Sequence, residues 1–109
     1  MKTFKDVQLN FKKNNQYTPT NAKVVLDSKN TDLGQFTLSV SYGSFAYGKG
    51  FDDTYEIALF ERDKSECSVF VKLTENDDVV GYQSSNQIDA FMIVVQNATN
   101  METIQNHFR

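Results

Sequence analysis

At 109 residues, with 39% aliphatic and aromatic side chains and 23% charged ones, the chain has the composition of one globular domain around one core. A net charge of −3 excludes a strongly basic nucleic-acid binder and a dedicated DNA mimic. One cysteine and one histidine exclude a disulfide scaffold and a cysteine-built zinc site, and no apolar run approaches the roughly 18 residues of a spanning helix.

The start, Met1-Lys2-Thr3-Phe4-Lys5-Asp6, has no apolar h-region, so no signal peptide and a cytoplasmic location are expected. Val7, Leu9 and Phe11 alternate with Gln8 and Asn10 and predict a first strand, ended by Lys12-Lys13-Asn14-Asn15. Past Pro19, which cannot donate to a ladder, Lys23-Val24-Val25-Leu26 predicts a second. The clearest alternation sets Phe36, Leu38, Val40 and Tyr42 on one face and Gln35, Thr37, Ser39 and Ser41 on the other. Tyr55-Glu56-Ile57-Ala58-Leu59-Phe60 predicts a strand covered on both faces. It turns through Arg62-Asp63-Lys64-Ser65 into Cys67-Ser68-Val69-Phe70-Val71-Lys72-Leu73, where Cys67 shares the apolar face as a buried, inert thiol. Asn76-Asp77-Asp78 turns again, and Val79-Val80-Gly81-Tyr82 closes the strands.

The period then changes. Ser84 with Gln87 forms a capping box, and Ile88, Phe91, Met92 and Val95 follow at helical spacing. Met101, Ile104 and Phe108 fall on nearly the opposite side, so the helix breaks near 97–100 and a second begins at the capping box Thr99-Asn100-Met101-Glu102. The expected fold is a single α+β domain over residues 1–109. It has a five- to six-stranded mainly antiparallel sheet followed by two C-terminal helices packed on one face. Its expected core is Phe36, Leu38, Val40, Ile57, Leu59, Val69, Val71, Ile88, Phe91 and Val95.

Charge divides along the chain. Residues 1–50 hold seven lysines against three aspartates, and residues 51–109 hold four cations against eleven acids. Such a division predicts either mixed solvated faces or one basic and one acidic edge that steers a charged partner. Abundant lysine and asparagine with little arginine and no tryptophan fits an AT-rich genome.

Most candidate chemistry has a plainer explanation. Gly43-Ser44-Phe45-Ala46-Tyr47-Gly48-Lys49-Gly50 approaches the phosphate-binding pattern, but glycine stands where a magnesium-binding hydroxyl belongs and no helix can start at Gly50-Phe51-Asp52-Asp53. The segment reads as a mobile glycine-rich connection. Asp52-Asp53, Asp77-Asp78 and Glu61 with Asp63 suit turns and solubility better than acid–base catalysis, because no spacing brings the pairs together. His107 falls in a frayed last turn, and Asn97-Ala98-Thr99 is a chance glycosylation sequon without an export signal. No catalytic residue, metal site or cofactor is expected, and the chain is read as a non-enzyme.

Two functions remain. Thr37, Ser39 and Ser41 give a strand face without charge, and the strand runs into Tyr42, Phe45, Tyr47 and Phe51. Exposed loop aromatics are hot-spot residue types, so Phe45, Tyr47 and Phe51, rimmed by Lys49, Asp52 and Asp53, form the expected partner-binding site. A competing account folds Phe45 and Phe51 back as plugs for the core. Small size, lack of catalytic groups and AT-rich composition loosely resemble small phage-encoded inhibitors of host systems. That resemblance implies a protein that inhibits or regulates a protein partner; a homodimer is left open and no membrane contact is expected. The alternative is a single-stranded nucleic-acid binder whose cations and rings are Lys2, Lys5, Lys12, Lys13, Tyr17 and Lys23.

Overall fold

A computed structural model describes residues 1–109 except Thr31, residues 63–67 and the side chain of Ser68. The chain forms α1 (Phe4–Gln8), β1 (Thr20–Asp27), β2 (Gln35–Tyr42), β3 (Tyr55–Arg62), β4 (Ser68–Phe70), β5 (Val79–Gln83), α2 (Ser85–Asn97) and α3 (Met101–Gln105). Strands β1, β2 and β3 lie side by side, and β4 and β5 share the far edge of β3. Every pairing between named strands is antiparallel. An antiparallel sheet followed by helices makes this an α+β domain of five strands.

Register explains the core. Val24 faces Leu38 and Leu38 faces Leu59, while Ala22, Val40 and Ile57 line up in the same way. These rows all point to one side, where α2 buries Ile88, Phe91, Met92 and Val95 over them. The hydroxyl of Ser84 accepts from the Gln87 amide at 3.2 Å, and the Ser84 amide donates to the Gln87 side chain at 2.8 Å, which completes the expected capping box. Helix α3 is capped one residue later than the sequence implies, by Asn100, which accepts from the Thr103 amide at 2.9 Å. Beyond it the His107 and Phe108 rings lie 5.3 and 4.8 Å from the ring of Phe91.

The first expected strand is a helix. Thr3 donates its amide to the Asp6 carboxylate at 2.8 Å, and Phe4 and Val7, three residues apart, turn together into the core. Leu9 is 85% exposed, and Phe11 packs at the core's margin, so the period-2 pattern through them was coincidental. One bridge from Lys12 to Asn21 is all that pairs with β1 on this side among the described residues. The loss of that strand leaves five rather than six.

The second correction concerns β4, which spans three residues. Val69 is 52% exposed and is no part of the core, whereas Val71 and Leu73 beyond the strand are buried. The turn through Asp63, Lys64 and Ser65 and the buried site expected for Cys67 lie outside the described residues. The remaining expected core residues, Phe36, Leu38, Val40, Ile57, Leu59, Val71, Ile88, Phe91 and Val95, are buried.

Helix α1 is fastened to α2 by polar contacts. The Phe4 amide donates to the Asp89 carboxylate at 2.9 Å. The buried Gln96 side chain accepts from the Lys2 amide at 2.8 Å and donates to the Lys2 carbonyl at 2.8 Å. These bonds satisfy the N-terminal backbone where it crosses the helix layer.

Candidate partner-binding site

Phe45, Tyr47, Lys49, Phe51, Asp52 and Asp53 all sit in the connection between β2 and β3. Turn hydrogen bonds pin that connection down. The Gly43 amide donates to Gly48 at 2.9 Å, the Ala46 amide to Gly43 at 3.1 Å, and the Gly50 amide to Thr54 at 2.9 Å. Lys49 donates its amide to the Thr54 hydroxyl at 3.1 Å, and that hydroxyl donates to the Asp52 carboxylate. The Ser85 hydroxyl, at the start of α2, donates to the Asp53 carboxylate at 3.1 Å. The glycine-rich connection thus carries a run of turn hydrogen bonds along its length. No helix begins at Gly50, so the phosphate-loop resemblance has no helix terminus behind it.

Glycine is required at two points here. A Cβ on Gly48 would lie 2.5 Å from the Tyr55 backbone, and Gly50 has φ +72° with the Tyr42 ring pressed against the position of its missing Cβ. Phe45 at φ 65°, Asp53 at φ 59° and Tyr82 at φ 53° are left-handed without being glycine. All the non-glycine residues of this kind among those described are in or against the connection, since the Tyr82 amide donates to Tyr47 at 2.7 Å and their rings lie 6.4 Å apart.

The rings divide by exposure. Phe45 is 88% exposed, Phe51 86% and Tyr47 60%, so neither phenylalanine plugs the core. Phe51 stands over a cleft of about 590 Å³ lined by Gln8, Phe11, Tyr42, Lys49, Gly50 and Tyr55. Phe11 meets Tyr42 edge-on at 5.1 Å and stacks on Tyr55 at 5.9 Å, while Tyr55 also meets Tyr42 at 5.7 Å and Phe4 at 5.2 Å. Burial raises the Tyr55 hydroxyl above its ordinary pKa, with Asp53 and Tyr42 pushing the same way. It stays a neutral hydrogen-bonding group at physiological pH. Burial also raises Glu56, against a hydrogen bond from the Tyr47 amide that lowers it, and Asp77 adds to the rise.

Sequence reasoning left Gln8, Phe11, Tyr55 and Tyr82 out of the site, and it placed Tyr42 among the clustered aromatics as an inward-pointing ring. Only Tyr42 had a usable signal, as the last ring of an alternating strand running into the loop.

The basic set is partly assembled. Lys12 and Lys23 line a cleft of about 400 Å³ beside β1, and Lys2 and Lys23 line its continuation. Lys5 lies elsewhere, in a cleft with Asp89 and Asn86, and the exposed Lys13 borders neither. Tyr17 is 70% exposed in the turn before β1.

Among the described residues no group of three or more His, Cys, Asp or Glu is placed to hold a metal, and no helix is long and apolar enough to cross a membrane. The fold and the loop define a small α+β domain that presents clustered aromatics on a bonded turn structure. Comparisons with protein-family models, curated proteins and solved structures find no match.

Proposed function

We propose that this chain is a non-enzymatic binding protein that engages a partner protein through the ring-bearing connection of Phe45, Tyr47 and Phe51. The neighbouring cleft of Phe11, Tyr42 and Tyr55 receives part of that partner, and the chain regulates or inhibits it as a small phage-encoded inhibitor of a host system would. The observation that carries this reading is Phe45. A large apolar ring is held in a left-handed conformation, at a cost of about 1–2 kcal/mol, and presented to water at 88% exposure. Folding gains nothing from that arrangement, so its use lies in contact with another molecule. Lys49, Asp52 and Asp53 supply a polar rim, and the hydrogen-bonded turns keep the ordering cost of binding low.

The test compares wild type with Phe45→Ala plus Phe51→Ala in quantitative capture from bacterial lysates. Stability should stay within about 0.5 kcal/mol of wild type, because both rings are exposed. A protein retained by wild type and lost by the variant is the expected result, each ring carrying more than about 1–2 kcal/mol. An identical retained set, or a large fall in melting temperature, overturns the reading.

A second reading, single-stranded nucleic acid on the lysine-rich side, is supported by exposed Tyr17 and by the cleft lined by Lys12 and Lys23. Binding of this kind weakens steeply with salt and is abolished by Lys12→Glu with Lys13→Glu.

A further inference from the structure

We propose that the free edge of β1 is a docking strip for an extended acidic peptide, which joins the sheet as an added strand. The hydrogen-bond pattern of β1 sets this up. Asn21 exchanges both backbone bonds with Lys12, at 2.8 and 2.9 Å, so its amide and carbonyl point away from β2. Alternation along an antiparallel strand then turns the amides and carbonyls of Lys23, Val25 and Asp27 outward as well. Among the described residues those three amides have no hydrogen-bond partner.

Two of the outward carbonyls are held by side chains that can move aside. Lys2 Nζ donates to the Val25 carbonyl at 2.6 Å, and Asn10 Nδ2 reaches the Lys23 carbonyl at 3.4 Å, a long bond. An incoming strand would replace both with backbone amides and free Lys2 to meet a carboxylate. A cleft of about 330 Å³ already follows this edge, and exposed Leu9 offers it an apolar wall.

Charge selects the occupant. Lys2, Lys12 and Lys23 line the two clefts, where the one acid is Asp6, whose carboxylate is taken up by the Thr3 amide at 2.8 Å. The other acid of the strip, Asp27, stands at its far end and accepts from the Gln35 side chain at 2.9 Å. Nucleic acid would also answer the lysines. It would leave the row of outward amides unused, whereas a peptide satisfies both features, as in β-strand addition generally. The site is separate from the Phe45 connection, so neither reading depends on the other.

The test uses the full chain and a labelled octapeptide alternating Glu and Thr, read by fluorescence anisotropy at low ionic strength. A Lys–Thr octapeptide and oligo-dT serve as comparisons. The Glu–Thr peptide should bind, the Lys–Thr peptide should not, and amide hydrogen exchange should slow at Lys23, Val25 and Asp27. Val25→Pro removes one outward amide where an edge strand tolerates proline. It should weaken binding by roughly tenfold or more at unchanged melting temperature. Phe45→Ala should leave peptide binding unchanged, which keeps this result separate from the loop's. The proposal is overturned if the Glu–Thr peptide does not bind, if both peptides bind alike, or if binding survives Val25→Pro. Oligo-dT binding that survives Val25→Pro, with no peptide binding, assigns the edge to nucleic acid instead. Should the proline variant fail to fold, exchange protection in the wild-type chain decides, and its absence at those three amides overturns the proposal.

Discussion

Two sets of rings lie within a few residues of each other and meet opposite fates. Tyr42 and Tyr55, at the last position of β2 and the first of β3, turn toward the core and meet Phe11 and Phe4 ring to ring. Phe45 and Phe51, between them in sequence, face water. Apolarity does not separate the two sets. The strand ladder fixes the direction of a side chain at its ends, and past those ends turn dihedrals take over, which at Phe45 means φ 65°. Rings set by the ladder contribute to stability, and rings set by the turn are free for contact.

The widest contrast comes from a ring deep on the covered side. Phe91 is fully buried against Phe108 and His107, so Phe91→Ala should cost about 3–5 kcal/mol in urea unfolding, against almost nothing for Phe45→Ala. A small cost at Phe91 would break the comparison. Gly50→Ala joins the two sets, because its Cβ would collide with Tyr42 at a φ that alanine resists. An expected loss of about 1–3 kcal/mol would show that the loop backbone and the ring cluster are built together. Phe45→Asn should go the other way. Asparagine tolerates the left-handed region, so stability should rise by up to about 1 kcal/mol, measured by the shift in urea midpoint. No gain would remove strain from the account of this residue.

The smallest effect concerns Glu56, beneath Tyr47. Burial puts its folded-state pKa above the usual 4.5, so the native chain holds this proton more tightly than the unfolded one. The resulting stability is fully present below 4.5 and is lost as pH rises through the folded value. Glu56→Gln should therefore gain on wild type as pH climbs past that range in paired urea titrations. Identical pH profiles would show that Glu56 is solvated as in the unfolded chain.

Much of the fold was legible because ladders and caps are local. Phe36, Leu38 and Val40 alternate without interruption, and Ser84 with Gln87 marks the start of α2 to the residue. Where two local signals competed, the wrong one won. Val7, Leu9 and Phe11 suggested a strand, while Thr3 and Asp6 already spelled a helix cap with Phe4 and Val7 on one face. Val69 keeps the alternation, paired with Glu61 on the face that Leu59 and Val71 share, but it stands at the edge of the sheet where nothing covers it among the described residues, 52% exposed. The loop residues could be proposed from composition, but the cleft could not. It exists only because residue 11 reaches residues 42 and 55, and no pattern within a segment encodes that meeting.

The bonds that tie Lys2 to Gln96 and Phe4 to Asp89 span 94 and 85 positions of sequence. At five residues, α1 is too short to persist alone. On the ribosome the N-terminal segment must therefore wait until α2 has been made before it can dock. Closure over such separations costs loop entropy before any contact repays it, which makes this docking a late step. Throughout that interval β1 lacks the Lys2 and Asn10 side chains that hold its outward carbonyls, and Lys23, its one lysine, is left to oppose pairing between one nascent chain and the next.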